Sequence, residues 1–284
     1  MTLAAADDDS MTYGAASREA LTREEDVTRE RLVADLRALG VPGGQSLLVH
    51  ASLREIGRVD GGARTVVAAL REVLGPTGTL VAGAGTPENS LTSRAFHAVT
   101  AGFTPQAIGQ FCAGMPAYRR ATTPTTIGAI AEALRTTPGA VRSAHPQSSF
   151  AAVGRQAHAL MARHPVKCHL GERSPLGKLY EQDASVLLLG VGYQSCSAFH
   201  LAEYRYCPDP PKQTYSCVVK KWGRRRWFEY KDVVLDDGDF EIIGKSMEEE
   251  ITVTSRLVGD APARLISLSH IVDFATKWMT QNRV

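Results

Sequence analysis

Cysteine is scarce and scattered in this chain. Five residues (Cys112, Cys168, Cys196, Cys207 and Cys217) occur among 284, odd in number and without a CxxC pair. That pattern supplies neither a zinc site nor a disulfide framework, and it fits a reducing, cytoplasmic setting. An excess of one charge is also missing. Thirty-two Lys plus Arg face 30 Asp plus Glu, a net +2, without the basic surplus of a dedicated nucleic-acid binder. No apolar run approaches the ~20 residues that span a bilayer. The opening stretch, MTLAAADDDSMTYGAASREAL, has three aspartates and no positive or long apolar region, unlike a secretory signal. No nucleic acid, membrane or metal partner is expected. What is present, 44% hydrophobic, 22% charged and 7% aromatic residues, is the composition of a globular domain with a sizeable core.

Residues 1–20 are small, polar and acidic, and read as a disordered leader; 21–284 reads as one domain. From Thr22, Val27, Leu32, Val33, Leu36 and Leu39 recur near helical spacing, with acids in the first turn and Gly40 as a stop. SLLVHASL (46–53) predicts a buried strand, ARTVVAALREVLG (63–75) a helix and GTLVAGAG (78–85) a second strand. A strand, a glycine loop, a helix and a strand in succession indicate an α/β fold with a parallel element. The polar stretch TPENSLTSRAFHAVTAGFTPQ lacks a clean period and is long for a connection, which suggests a functional loop. Short helices are expected at about 126–135 and 155–163, with a strand in SSFAAVG between them and a buried strand in SVLLLGVG (185–192). QTYSCVVKK, the WGRRR turn and RWFEYKDVVL predict a β-hairpin. A helix capped near Asp237 and Asp239, a strand in ITVTSRLV and a terminal amphipathic helix through ARLISLSHIVDFATKWM complete the pattern.

Several residues could carry chemistry. Ser52, Gly57, Gly61 and Gly62 lie between a strand and a helix, where amides and a helix N-terminus can meet an anion; the same glycines could equally form a plain turn. The spacing is neither GxxxxGK[ST] nor GxGxxG. His169 sits in a Gly- and Pro-containing loop, KCHLGERSPLGKL, of the kind that carries function. His200 and Glu203 are three apart and share a helical face. A His–Glu pair suits a general base: the imidazole takes a proton near neutral pH, and the carboxylate fixes its tautomer. Which histidine meets Glu203 stays open at this level, as does the alternative of a surface glutamate and an unrelated loop histidine. Cys196 and Cys168 are expected as small buried hydrophobes rather than nucleophiles.

Taken together and in order, HASLREIGRVDGGA, TLVAGAGTPENS, ATTPTT with IAEALR, PGAVRSAHPQSSFAAVG, CHLGERSPLGKL and LLLGVGYQSCSAFHLAEYR resemble the aminoglycoside 3-N-acetyltransferase family over about residues 23–206. The resemblance implies a single-domain three-layer α/β/α sandwich with a mixed central sheet, here with a β-hairpin region toward the C-terminus. It implies acetyl transfer from acetyl-coenzyme A to an amine of an aminoglycoside or related amino sugar, directly in a ternary complex, and allows a homodimer. Carried over by motif, His169 would be the general base and Glu203 its orienting partner. Ser52, Leu53, Arg54, Gly57, Val59, Gly61, Gly62, Ser148, Ser149, Ser174 and Leu176 would hold coenzyme A. Glu88, Asn89, Leu91, His145 and Cys196 would line the acceptor side. One departure concerns charge: Leu91 follows PENS where many members carry Asp, which favours a less cationic amine, acylated in natural-product biosynthesis, as the alternative acceptor; use of a different acyl-coenzyme A is the other alternative.

Overall fold

The computed structural model describes residues 26–283; the expected leader at 1–20 lies outside them. The chain begins with α1 (Arg29–Leu39), β1 (Ser46–Ala51), α2 (Ala63–Leu74) and β2 (Thr79–Gly83). It continues through α3 (Arg94–Val99), α4 (Pro105–Gly114), α5 (Ala129–Arg135), β3 (Val141–Arg142), β4 (Phe150–Gly154), α6 (Ala157–Met161) and α7 (Pro175–Glu181). Then follow β5 (Ser185–Leu189), α8 (Phe199–Glu203), β6 (Lys212–Lys221), β7 (Arg224–Val233), α9 (Phe240–Glu250), β8 (Thr254–Val258), β9 (Ala261–Ser267) and α10 (Leu268–Asn282).

Seven strands form one sheet in the order β3-β4-β2-β1-β5-β9-β8. Its centre is parallel, β1 pairing with β2 and with β5, and the outer strands are antiparallel. Alternation along the central strands divides the core in two. Leu48, Val81, Val186 and Leu188 face a layer with α6 to α10, and Leu47, Val49, Leu80, Leu187 and Leu189 face one with α1, α2 and α5. Each fully buried aliphatic side chain stabilises the fold by about 1.5–3 kcal/mol. The result is the expected three-layer α/β/α sandwich with a mixed sheet. β6 and β7 form a separate ten-register hairpin, as its turn sequence predicts.

Local signals explain the boundaries. Thr28 caps α1 by accepting from Arg31 N at 3.2 Å, and Gly40 ends it at φ 90°. The long polar connection after β2 contains α3 and α4, capped by the Ser93 and Thr104 hydroxyls. Two expectations need correction. The start of the terminal amphipathic stretch is strand, not helix: Ala263–Ser267 pairs with β5, and helix begins only where Ser267 Oγ accepts from His270 N. Asp239 precedes α9 but makes no cap; its carboxylate pairs with Arg283 instead, Nε to Oδ2 2.7 Å.

α9 packs so tightly that a Cβ on Gly244 would lie 2.0 Å from Tyr193 Cγ, and that ring is fully buried. Gly244→Ala is therefore expected to destabilise by at least about 1–3 kcal/mol, read from urea melts. Among the described residues no helix is long and apolar enough to cross a membrane, and no cluster of three or more His, Cys, Asp or Glu is disposed to hold a metal ion.

Candidate active site

Where β1, β2 and β5 run parallel, their carboxyl ends open a crevice, the usual ligand position in open α/β sheets. A cavity of about 280 Å³ is lined by His50 and Ala51 at the end of β1, Gly83 at the end of β2, Ile127 and Ile130 at α5, and Ser195. It shares His50, Gly83, Ile127 and Ser195 with an adjoining cavity of about 180 Å³ that also touches Gly85, Ser148, Leu170 and Ser197. A Cβ on Gly83 would come within 2.8 Å of Ile127 Cδ1, so the slot is narrow enough for an unbranched chain. Outward past Val191, a groove of about 390 Å³ is lined by Ser52, Arg54, Gly190 and Arg264.

The His–Glu pair lies on α8. His200 Nδ1 donates to Glu203 Oε2 at 2.7 Å. Glu203, 1% exposed, is held at Oε1 by Asp236 N and by Arg283 Nη1, each at 2.8 Å. The His200 ring packs edge-on against Phe240 at 4.7 Å. Its Nε2 has no hydrogen-bond partner among the described residues and is not among the buried unpaired atoms, so it opens to solvent. His50, half-buried, has Nε2 3.3 Å from Ser197 Oγ; burial, with a smaller contribution from neighbouring His200, holds its pKa down to about 4.

The pairing expected between His169 and Glu203 is corrected. His169 Nδ1 donates to Asp232 Oδ2 at 2.9 Å, and its Nε2 lies 2.8 Å from Gln147 Oε1 and 2.9 Å from Tyr230 Oη. It is 3% exposed, and burial lowers its pKa despite the carboxylate. Asp232 also accepts from His169 N at 2.7 Å and Tyr204 Oη at 3.0 Å. Burial alone would raise its pKa; the His169 ring and amide, with Val233 N, outweigh burial and leave it below the usual range. Asp232 lies on β7, far along the chain in the hairpin, and no sequence pattern connects it to position 169.

Other expected contacts also move inward. His145 is wholly buried: Nδ1 accepts from Gln147 N and Ser148 N, and Nε2 donates to Val166 O, which fixes the neutral tautomer. Ser149 reaches the cavity wall, but its hydroxyl bonds Ala84 O and Arg142 Nε. Ser174 caps α7, and Leu176 and Cys196 are core residues at 0% exposure. Burial pushes the Cys196 thiol up to about 12, which removes it as a nucleophile. Asn89 is spent on the hairpin, its side chain bonding both N and O of Val218. Leu91 packs beside Phe96, Met115 and Val218. Glu88 remains partly exposed and accepts from Thr126 Oγ1 at 2.7 Å.

The loop after β1 keeps the geometry its glycines suggest. Gly57, Gly61 and Gly62 have φ of 99°, 72° and 63°. Gly62 precedes α2 with no side-chain cap and open space where a Cβ would project, leaving the first amides of a twelve-residue helix accessible. Arg54 is 91% exposed beside the groove, whereas Leu53 and Val59 pack against the core beneath. Anion donors outside and a narrow, largely uncharged slot inside fit the two ends of coenzyme A.

A family model described as aminoglycoside 3-N-acetyltransferase matches residues 48–280. The chain is 38% identical over 257 residues to the SPbeta prophage-derived aminoglycoside N(3')-acetyltransferase-like protein YokD of Bacillus subtilis (strain 168), covering 90% of this chain and 93% of that protein. It is 35% identical over 284 residues to aminoglycoside N(3)-acetyltransferase VII of Streptomyces paromomycinus, covering 90% and 92%. The crystal structure of YokD superposes with a TM-score of 0.85, over 91% of this chain and 95% of that one. AAC-IIIb in its binary complex with CoASH superposes with a TM-score of 0.77 at 29% identity, over 89% and 96%. Sequence and backbone agree over nine-tenths of the chain with the same group of acyltransferases, and the chain therefore belongs to the aminoglycoside 3-N-acetyltransferase family.

Proposed function

We propose that the crevice transfers an acetyl group from acetyl-coenzyme A directly to an amine of an aminoglycoside, in a ternary complex, with His200 as general base and Glu203 as its orienting partner. The observation that carries this reading is the His200–Glu203 pair at 2.7 Å with Nε2 turned to solvent. An ammonium has no lone pair, so the acceptor must react as the free amine. Glu203 holds the proton on Nδ1, so the Nε2 lone pair is the one that takes a proton as nitrogen attacks the thioester carbonyl. Collapse of the tetrahedral intermediate breaks the C–S bond, and the departing thiolate recovers the proton from the imidazolium. The donor lies along the groove, with Ser52, Arg54 and the first amides of α2 on its phosphates and Ser148 toward the acyl end. His169, with both nitrogens occupied, supports the wall instead: its carbonyl accepts from Ser148 Oγ at 2.9 Å, and Leu170 next to it lines the cavity.

A second reading concerns the acceptor. Leu91 sits in an apolar cluster, and a multiply charged sugar gains most from carboxylates; a less cationic amine suits this wall better. Free-thiol release with acetyl-coenzyme A and a panel of amines, beside calorimetry with coenzyme A, tests both. Turnover of kanamycin-type amines is expected under the first reading, and preference for a less cationic amine under the second. Absence of coenzyme A binding would end both.

A further inference from the structure

Two neighbouring histidines, His50 in the crevice wall and His200 on α8, have opposite electrostatic settings. His200 has a carboxylate. His50 has none within hydrogen-bond reach among the described residues, and burial, with a smaller contribution from His200, lowers its pKa. Environments that push paired groups apart assign them different tasks. His50 is directed at the Ser197 hydroxyl, 3.3 Å away. Ser197 does not cap α8, whose start has no side-chain cap, and among the described residues Oγ has no other partner. Ser148 Oγ, by contrast, is bound to His169 O and His145 Nδ1, and Ser149 Oγ to Ala84 O. Ser197 and His200 are also one turn apart, His200 N donating to Ser197 O at 3.1 Å, which places them as neighbours along one face.

We infer that Ser197 donates its hydroxyl hydrogen to the thioester oxygen as acyl transfer proceeds, with His50 as the positioning residue that donates from Nε2 to Ser197 Oγ. With one lone pair occupied by His50, the hydroxyl hydrogen is free to turn into the cavity. Attack forms the C–N bond and moves the carbonyl π pair onto oxygen, where Ser197 receives it; the amine proton passes to His200 Nε2. Collapse re-forms C=O, breaks C–S and releases the thiol with that proton. Neutrality matters because a positively charged His50 would repel the imidazolium forming on His200. The inference rests on His200 as base, and the two are separable by experiment.

The test compares Ser197→Ala, Ser197→Thr, His50→Ala and His200→Ala by free-thiol release, with calorimetry for coenzyme A. Loss of one oxyanion donor typically costs about 10²- to 10³-fold in kcat. Ser197→Ala is expected to fall in that range with coenzyme A affinity within threefold of the parent, and Ser197→Thr to recover most of the loss. His50→Ala should lose about tenfold in kcat with coenzyme A affinity within threefold of the parent, and should add no further loss when combined with Ser197→Ala. Ser197→Ala retaining kcat within threefold, or losing activity only through weaker coenzyme binding, overturns the inference. If His200→Ala collapses and Ser197→Ala does not, this inference alone fails; if Ser197→Ala collapses and His200→Ala does not, the base assignment fails.

Discussion

Replacing His200 with alanine is expected to lower kcat by about 10³-fold, within the range for removal of a positioned general base. Affinity for coenzyme A should stay within threefold, because the groove residues Ser52 and Arg54 lie on other elements. Glu203→Gln should lose less, since an amide oxygen can still accept from Nδ1 but stabilises the imidazolium less. The contrast with His169 is the decisive comparison. His169 is enclosed by Asp232, Gln147 and Tyr230, so His169→Ala should act first on stability and leave kcat within about tenfold of the parent. A His169→Ala variant that folds like the parent yet loses about 10³-fold in kcat, with His200→Ala retaining it, would reverse the assignment.

Asp232→Ala is expected to be the largest stability defect. It strips the acceptor from His169 Nδ1, His169 N and Tyr204 Oη, all buried or nearly so, and from Val233 N. Breaking one side of a buried pair costs about 3–5 kcal/mol, and melting should fall by about 6–20 °C for a chain of this size. Asp232→Asn, which keeps an acceptor, should lose less.

The pH dependence of stability separates this carboxylate from its neighbours. Asp232 has a depressed pKa in the folded state. Its contribution is therefore present above the unfolded-state value, about 3.9, and disappears as pH falls through the folded value. His164 titrates near 4 in the folded state against 6.5 unfolded, because burial opposes its charge. The unfolded chain binds protons first, so stability is full above pH 6.5 and declines toward pH 4. His50 also titrates near 4, and burial lowers the pKa of His145 and His169, so urea melts of the parent between pH 7 and 4 should show that decline as the sum of these histidines. A flat profile over that interval would show that they are not buried in the neutral form.

Most of the sheet was legible because its signals are local. The apolar runs in SLLVHASL and SVLLLGVG became β1 and β5, and the helix after Gly62 runs from Ala63 as expected. ARLIS carries aliphatic residues compatible with either period, and only pairing with β5 selects strand over the expected helix. Ser267 then marks the switch.

The site divides along the same line. The His200–Glu203 pair was readable because three residues of helix bring the two side chains together whatever surrounds them. Motif likeness to the family placed the base at His169, but a motif says nothing about which buried acceptor a loop histidine will find. The sequence by itself determined the α/β class, the order of the central elements, the glycine turn before α2 and the helical His–Glu spacing, all products of short-range sterics and periodicity. Only the tertiary structure decided that Asp232 takes His169, that Arg283 holds Glu203, and that His50 meets Ser197. Those partners are separated by 63, 80 and 147 positions, and a contact across such distances exists only once both cores have closed on the sheet and brought the buried polar atoms within reach of one another.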